Sequence, residues 1–202
     1  SLWIVQRVIA VLVIVMAFFP IANPAKICGL VSDKISLFTS AVSYNSLISD
    51  CARAFRMNWV DETTFVVTYI GAVIAVLGIA ATGVGVCTSM GNNNLQRFGL
   101  KFSIIGAIAE VVGYAVCFVG YILVQDTNRV DKVAPSMPVG VFVFGGIAAL
   151  ILILSLVLFV KTPKALPGEK FEMESKYKLF LMFLPFAILG FLFCYLPLYG
   201  WR

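Results

Sequence analysis

The sequence predicts an all-α fold, an integral membrane bundle of four transmembrane helices followed by a fifth helix that starts a further module. Of the 202 residues, 61% are apolar and 12% are charged, whereas charged residues make up about 25% of a soluble domain. Five apolar segments are long enough to cross about 30 Å of hydrocarbon. Lysines and arginines are concentrated in short segments between these blocks, as expected of loops that set membrane topology.

The five predicted spans cover residues 2–21, 65–87, 102–124, 139–160 and 179–198. The first span is interrupted near its start by Gln6 and Arg7, which leaves a shorter uninterrupted apolar run. In the other four spans, Glu110 is the single residue with a carboxylate or a basic side chain.

Local sequence also predicts where the spans begin and end. Asp61 and Glu62 precede the second span, where carboxylates can accept from the free N–H groups of the first helical turn. Gly91 follows the same span, with Asn92, Asn93 and Asn94 after it, and these residues predict a left-handed cap that ends its helix. Ser136 is predicted to cap the start of the fourth span.

The distribution of basic residues predicts the orientation of the chain. The segment 161–178 contains five lysines, and the turn between the second and third spans contains Arg97 and Lys101. Both segments are expected on the cytoplasmic side of the cell membrane, together with the N-terminus. Residues 22–60 and 125–135 are then expected outside. The predicted organisation is a four-helix unit over 1–160, a basic cytoplasmic linker over 161–178 and the first helix of another module over 179–202.

The outer segment 22–60 contains apolar residues at helical spacing. They predict either short helices that lie at the outer interface or a surface that docks a partner. Cys28 and Cys51 lie on the oxidising side in this orientation, so a disulfide between them is possible. Cys87, Cys117 and Cys194 lie in spans and are expected to be small packing residues.

Two stripes of small residues predict that the second and third spans pack together. Small side chains let helix backbones approach closely in lipid, and the short connection predicts an antiparallel pair. On the second span, steps of four and three residues alternate through Thr64, Thr68, Gly71, Ala75, Gly78, Thr82 and Gly85. On the third span, the same steps run through Ser103, Gly106, Glu110, Gly113, Cys117 and Gly120.

Glu110 lies on its stripe near the middle of the predicted membrane. Burial there disfavours the charged form of a carboxyl group, and a polar group at this depth is either paired or functional. We expect Glu110 to form a hydrogen bond either with Thr82 or, as a neutral acid that donates, with a carbonyl group near the glycines. The carboxyl group is interpreted as structural, as a site for a proton, an ion or a substrate, or as a contact for a missing partner helix.

Several functional classes are disfavoured by the composition. The chain has no histidine, which excludes His-based catalysis and His metal ligands. No nucleophile–base pair, metal-ligand cluster or phosphate-binding loop can be assembled from the sequence. The basic residues form no face with interleaved aromatics of the kind that binds nucleic acid. We therefore expect neither an enzyme nor a cofactor-binding or nucleic-acid-binding protein.

The C-terminal residues carry a family resemblance. Residues 176–185 read Lys-Tyr-Lys-Leu-Phe-Leu-Met-Phe-Leu-Pro, and residues 195–201 read Tyr-Leu-Pro-Leu-Tyr-Gly-Trp. This pair of elements resembles the start of the permease subunits of binding-protein-dependent ABC importers of the oligosaccharide and multi-sugar type. The resemblance covers about 27 residues. The remaining core helices of that family and its cytoplasmic coupling loop are not in this sequence.

The resemblance implies that the chain is the N-terminal part of a sugar importer permease that carries an extra four-helix membrane unit. The chain begins at Ser1 and ends at Arg202 directly after an apolar block, so we expect a processed chain or a piece of a longer one. The implied partners are a second permease subunit, an ATPase subunit and an extracellular solute-binding protein, in addition to the lipid bilayer. Two alternatives remain, a tetraspan scaffold or adhesion protein and a small ion- or proton-coupled transporter that uses Glu110.

Overall fold

The computed structural model describes residues 2–16, 41, 44–45, 48–49, 61–127, 139–164, 166–168 and 170–172. Four α-helices are present in this part of the chain: α1 (Leu2–Met16), α2 (Phe65–Thr88), α3 (Asn93–Thr127) and α4 (Val139–Lys161). A 3₁₀ turn, Glu62–Thr64, leads into α2. The described residues contain no β-strand, which agrees with the predicted all-α class.

Three of these helices are long and apolar enough to cross a membrane. They cover Glu62–Thr88, Asn93–Val124 and Gly140–Lys161. The helix α1 is apolar, but its 15 residues extend over about 22 Å, less than the hydrocarbon thickness of about 30 Å. The predicted count of four spans over 1–160 is therefore not confirmed. The predicted fifth span, 179–198, lies outside the described residues.

The helices α2 and α4 have the predicted bounds to within one residue, whereas α3 begins earlier than its predicted span. It begins at Asn93 and runs through the polar residues before Phe102. The Asn92 side chain accepts a hydrogen bond from the backbone N–H of Leu95 at 3.1 Å, as an N-cap residue does. The predicted cap by Gly91 and Asn92 at the end of α2 is wrong, since α2 ends at Thr88 and Gly91 has no positive φ.

Asp61 caps the 3₁₀ turn that leads into α2, whereas Thr64, the N-cap residue of α2 itself, makes no side-chain cap hydrogen bond. The Asp61 side chain accepts from the backbone N–H of Thr63 at 3.1 Å and from the Thr63 hydroxyl at 2.7 Å. The Tyr44 hydroxyl donates to the Glu62 carbonyl oxygen, and the Tyr44 ring packs edge-on against Tyr69 at 5.7 Å. Burial, and then the carboxylates of Glu62 and Asp61, raise the pKa of Tyr44. Tyr44, which belongs to the segment predicted to lie outside, therefore packs against this end of α2.

In the bundle, α2 and α3 form an antiparallel hairpin, α4 packs on α3, and α1 packs against α4 and α2. The start of α1, the α2–α3 turn and the end of α4 lie at one end of the bundle, which we call the turn end. Contacts of Gln6 with Ser103 and Ser155 place the start of α1 there, and a contact of Arg97 with Thr162 places the end of α4 there. The two basic segments that were predicted to share one side of the membrane thus begin at the same end of the bundle.

Apolar side chains cover much of the outside of the bundle. Large exposed aliphatic and aromatic residues occur along α1, α2, α3 and α4, as is usual for helices surrounded by lipid rather than water. The interior contains aromatic and small residues, among which Tyr114, Tyr121 and Phe65 are the largest fully buried side chains.

Candidate functional site

The α2–α3 seam is so closely packed that its glycines have no room for a side chain. A methyl group at Gly78 would lie 2.6 Å from the backbone nitrogen of Glu110 and 2.7 Å from the carbonyl oxygen of Gly106. At Gly85 the same group would lie 2.3 Å from the backbone nitrogen of Ser103. These distances are shorter than any carbon–nitrogen van der Waals contact, so the backbones themselves are in contact along the seam.

The contacts repeat along the helices in one antiparallel register. Every predicted seam residue from Thr68 to Gly85 on α2 faces this contact, as do those from Ser103 to Gly120 on α3. The register pairs the following residues: Gly71 with Cys117, Ala75 with Gly113, Gly78 with Glu110, Thr82 with Gly106, Gly85 with Ser103, and Thr68 with Gly120. The predicted packing of α2 against α3 along these stripes is confirmed.

Glu110 and Thr82 form the polar centre of the seam. The Thr82 hydroxyl donates to Glu110 Oε1 at 2.5 Å, so Thr82 is the partner among the two alternatives that the sequence predicts. Glu110 is fully buried and Thr82 is nearly so. The second carboxyl oxygen, Oε2, is buried and has no hydrogen-bond partner within the described residues. Among the described residues, the carboxyl group is thus hydrogen-bonded through one of its two oxygens, Oε1.

One turn further along α3, Tyr114 is also buried. Its ring packs edge-on against Phe144 of α4, with 6.4 Å between the ring centroids. Its hydroxyl, like Glu110 Oε2, has no hydrogen-bond partner in the described part of the chain. The side of α3 that faces α4 therefore contains a buried tyrosine four residues after Glu110.

A second polar cluster joins three helices near the turn end. The amide nitrogen of Gln6 donates to the Ser155 hydroxyl at 2.8 Å and lies 3.5 Å from the Ser103 hydroxyl. The two hydroxyl oxygens lie 2.9 Å apart, within hydrogen-bond distance. All three side chains are fully buried, so α1, α3 and α4 are tied together by polar contacts in an apolar interior.

Sequence reasoning did not find this three-helix cluster. Gln6 was interpreted as an interruption of the first span, and Ser155 lies in a uniformly apolar helix without a stripe of small residues. Ser103 was assigned to the α2–α3 seam, and its backbone does contact Gly85 there, but its hydroxyl contacts α4 and α1. The sequence offered one signal for this cluster, which is an uncharged polar residue in each of two apolar segments, Gln6 in the first and Ser155 in the fourth.

At the turn end, further contacts connect the start of α3 with the end of α4. Arg97 Nη1 donates to the carbonyl oxygen of Thr162 at 2.7 Å and lies 3.4 Å from that of Phe159. The guanidinium group also lies over the Phe159 ring, at 4.3 Å from its centroid. A cation at the C-terminal end of a helix satisfies free carbonyl groups and opposes the negative end of the helix dipole. Arg97 therefore caps α4 from α3.

The cysteines in the described helices pack as predicted. Cys87 and Cys117 are buried and free, and the Cys117 thiol lies 3.5 Å from the Thr68 carbonyl oxygen. Cys28, Cys51 and Cys194 lie outside the described residues, as do Ser136 and most of the predicted outer helical face. Ala41, Tyr44 and Ile48 are described, and they pack against the apolar core of the bundle.

The residues that the structure describes include no group of three or more His, Cys, Asp or Glu that could hold a metal ion. Three long apolar helices with a glycine-rich seam are consistent with a membrane helix bundle, and this is the class of protein that the fold defines. The chain matches no protein-family model, no curated protein and no solved structure.

Proposed function

We propose that the chain forms the N-terminal, membrane-embedded portion of an ABC importer permease for sugars or oligosaccharides. In this proposal the bundle has a structural, assembly or docking role and performs no catalysis. Its partners are a second permease subunit, an ATPase subunit that hydrolyses ATP and an extracellular solute-binding protein. The chain lies in the cell membrane with its N-terminus in the cytoplasm.

The observation that carries a structural role is the backbone contact along the α2–α3 seam. Because a methyl group at Gly78 would lie 2.6 Å from the backbone nitrogen of Glu110, the two helices cannot rotate, or slide by less than a full seven-residue repeat, without losing this packing. Polar residues inside the bundle also form hydrogen bonds between helices, such as Thr82 with Glu110 and Gln6 with Ser155. A closely packed unit of this kind suits an anchor better than a moving gate.

A second observation concerns the chain that follows α4. Asn92 in the α2–α3 turn binds the backbone of residues 170 and 172, so the segment leading to the permease-like residues 176–202 starts from a fixed place on the bundle. Those residues carry the resemblance to importer permeases. An anchored connection of this kind supports a bundle that positions the first permease helix.

The proposal is tested by affinity capture from the native membrane in mild detergent, with every co-purifying subunit identified by mass spectrometry. We expect a second permease, an ATPase and a solute-binding protein in the captured complex. If neither an ATPase nor a solute-binding protein accompanies the chain, the importer proposal is overturned and a tetraspan scaffold becomes the next hypothesis.

A matched pair of variants tests the role of the bundle in assembly. Gly78→Leu forces apart the α2–α3 seam, whereas Gly146→Leu makes the same chemical change on α4, where a methyl group would meet nothing within 4 Å. We expect Gly78→Leu to lower the recovery of the partner subunits and Gly146→Leu to leave it unchanged. Equal recovery with both variants would argue against an assembly role.

Glu110 supports a second candidate, a small ion- or proton-coupled transporter. The observation that favours it is that Oε2 of this buried carboxyl group has no partner in the described residues. Glu110→Gln can still accept the hydrogen bond from Thr82 but cannot exchange a proton. Loss of uptake with unchanged folding and subunit composition would support this candidate, and unchanged uptake would exclude a coupling role for Glu110.

A further inference from the structure

Three phenylalanines form an exposed cluster at the turn end of the bundle. Phe98 and Phe102 lie one helical turn apart on α3 with ring centroids 5.0 Å apart. Phe98 also meets Phe171 edge-on at 5.7 Å. Their exposed fractions are 43%, 39% and 60%, respectively. Because the rings leave much of their surface uncovered, this part of the bundle requires an apolar environment outside the described residues.

Lysines lie directly beside these rings. Lys101 lies between Phe98 and Phe102 in the sequence of α3, and Lys170 precedes Phe171; both are exposed. A lysine side chain can keep its methylene groups at apolar depth while its amine reaches the headgroup layer. Side chains on a helix tilt toward its N-terminus, and the N-terminus of α3 lies at the turn end. The Lys101 amine is therefore suited to the membrane surface, and Lys170 lies in the non-helical segment after α4.

The charge at this end of the bundle is predominantly positive. Lys161 and Lys164, at the end of α4 and just after it, are exposed as well, and Glu172 is the exposed acidic residue of this end in the described part of the chain. Arg97 is half-buried and donates to carbonyl groups of α4. The positive charge that remains at the surface thus comes mainly from lysines.

Asn92 fixes the loop part of this cluster on the bundle. Its backbone N–H donates to the Glu172 carbonyl oxygen at 3.0 Å, and its side-chain amide donates to the Lys170 carbonyl oxygen at 2.7 Å. The two hydrogen bonds bracket Phe171. A methyl group at Gly91 would lie 2.6 Å from the Glu172 carbonyl oxygen, so this approach requires a glycine at position 91.

We propose that Phe98, Lys101, Phe102, Lys170 and Phe171, here called the interfacial patch, bind the headgroups of anionic phospholipids. The three rings enter the boundary between headgroups and acyl chains, and the two lysines meet the lipid phosphates. Charge complementarity determines the occupant, because basic residues near an anionic membrane surface gain binding free energy that a zwitterionic lipid does not provide. The inference requires that the chain lies in a bilayer and is independent of its assignment to an importer.

The test uses the full chain purified in a neutral detergent. Equal amounts of phosphatidylglycerol and phosphatidylcholine with identical acyl chains are added, and the lipids retained are counted by native mass spectrometry. We expect phosphatidylglycerol to be retained preferentially at low ionic strength. High ionic strength is expected to remove most of this preference by screening, a measurement that needs no variant.

One set of variants tests the positive charge of Lys101 and Lys170, and another tests the placement of Lys170 and Phe171 by Asn92. Lys101→Gln with Lys170→Gln is expected to lower the preference for phosphatidylglycerol by about 30-fold, and Lys101→Arg with Lys170→Arg is expected to retain it. Asn92→Ala is expected to lower it several-fold without changing any charge, since Lys170 and Phe171 are no longer held in place. The matched control is Lys132→Gln, because residue 132 lies in the sequence between α3 and α4 and is not part of the interfacial patch.

Three results would overturn the inference. They are an unchanged lipid preference in the double glutamine variant, an equal loss of preference in Lys132→Gln, and a preference in the unaltered chain that does not respond to salt. A full preference in Asn92→Ala would overturn the role of the fixed loop.

Discussion

The Thr82 hydroxyl donates a hydrogen bond of 2.5 Å to Glu110 across the α2–α3 seam. Both side chains are buried, and their helices are in backbone contact on either side of the bond. Polar ties of this kind stabilise helix pairs in lipid by about 0.6–2 kcal/mol. The bond therefore contributes little to the stability of the bundle compared with the packing of α2 against α3 that surrounds it.

Thr82→Val is expected to lower the free energy of unfolding by about 1 kcal/mol, because it keeps the shape of the side chain and removes the donor. Glu110→Leu is expected to have a similar effect by removing the acceptor. The double variant is expected to lose less than the sum of the two single losses, since the residues share one interaction. Equilibrium unfolding in mixed micelles measures all three values, and additive losses would argue against a direct tie.

Gly85→Ala and Gly106→Ala are each expected to destabilise the bundle by about 1–3 kcal/mol. A methyl group at Gly106 would lie 2.5 Å from the backbone nitrogen of Thr82, and backbone cannot move aside as the end of a flexible side chain can. Gly146→Ala is the matched control, since its added methyl group meets open space. The same unfolding assay compares them, and equal stability of the three variants would contradict the close approach of α2 and α3.

Ser155→Ala alone is expected to cost less than 1 kcal/mol, because the Gln6 amide can turn to Ser103, 3.5 Å away. Ser103→Ala combined with Ser155→Ala leaves that amide without a partner in the cluster and is expected to cost about 1–3 kcal/mol. Adding Gln6→Leu to the double variant is expected to recover part of this loss, since a buried unpaired polar group is then removed. Failure of the leucine to recover any stability would contradict the role of the cluster.

Arg97→Lys is expected to loosen the last turn of α4. The lysine keeps the charge, but it loses the planar group that both stacks on Phe159 and donates to Thr162. Hydrogen exchange at the amides of residues 159–162 is expected to become about fivefold faster, which corresponds to about 1 kcal/mol. Lys164→Gln, an exposed change of charge after the helix, is the control and is expected to leave those amides unchanged.

Hydropathy and small-residue spacing predicted the parts of the fold that depend on one helix or on one adjacent pair. The bounds of α2 and α4 follow from their apolar composition, because the length of an apolar run is enough to identify a helix that crosses a membrane. The Thr82–Glu110 bond was predictable because alternating steps of four and three residues place both side chains on facing stripes of neighbouring helices.

The start of α3 and the Gln6 cluster were not predictable in the same way. Hydropathy detects the residues that lipid surrounds, so it overlooks the polar first turns of α3, whose N-cap is Asn92. The meeting of Gln6 with Ser155 depends on which faces of α1 and α4 approach each other, and neither helix has a stripe that defines a face. Such contacts between helices distant in sequence are determined by the packing of the whole bundle.

The glycines of the seam recur every seven residues, at Gly71, Gly78 and Gly85 on α2 and at corresponding intervals on α3. A repeat of this kind is degenerate, because sliding one helix by seven residues again brings glycine against backbone. The hydrogen bond between Thr82 and Glu110 distinguishes this docking from the one displaced toward Ala75, since Ala75 occupies the equivalent place one repeat earlier and has no hydroxyl. A single polar residue in a repetitive interface is known to select one alignment at modest cost in stability. The hydrogen bond of Glu110 therefore favours the observed register of the α2–α3 hairpin over a register displaced by one repeat.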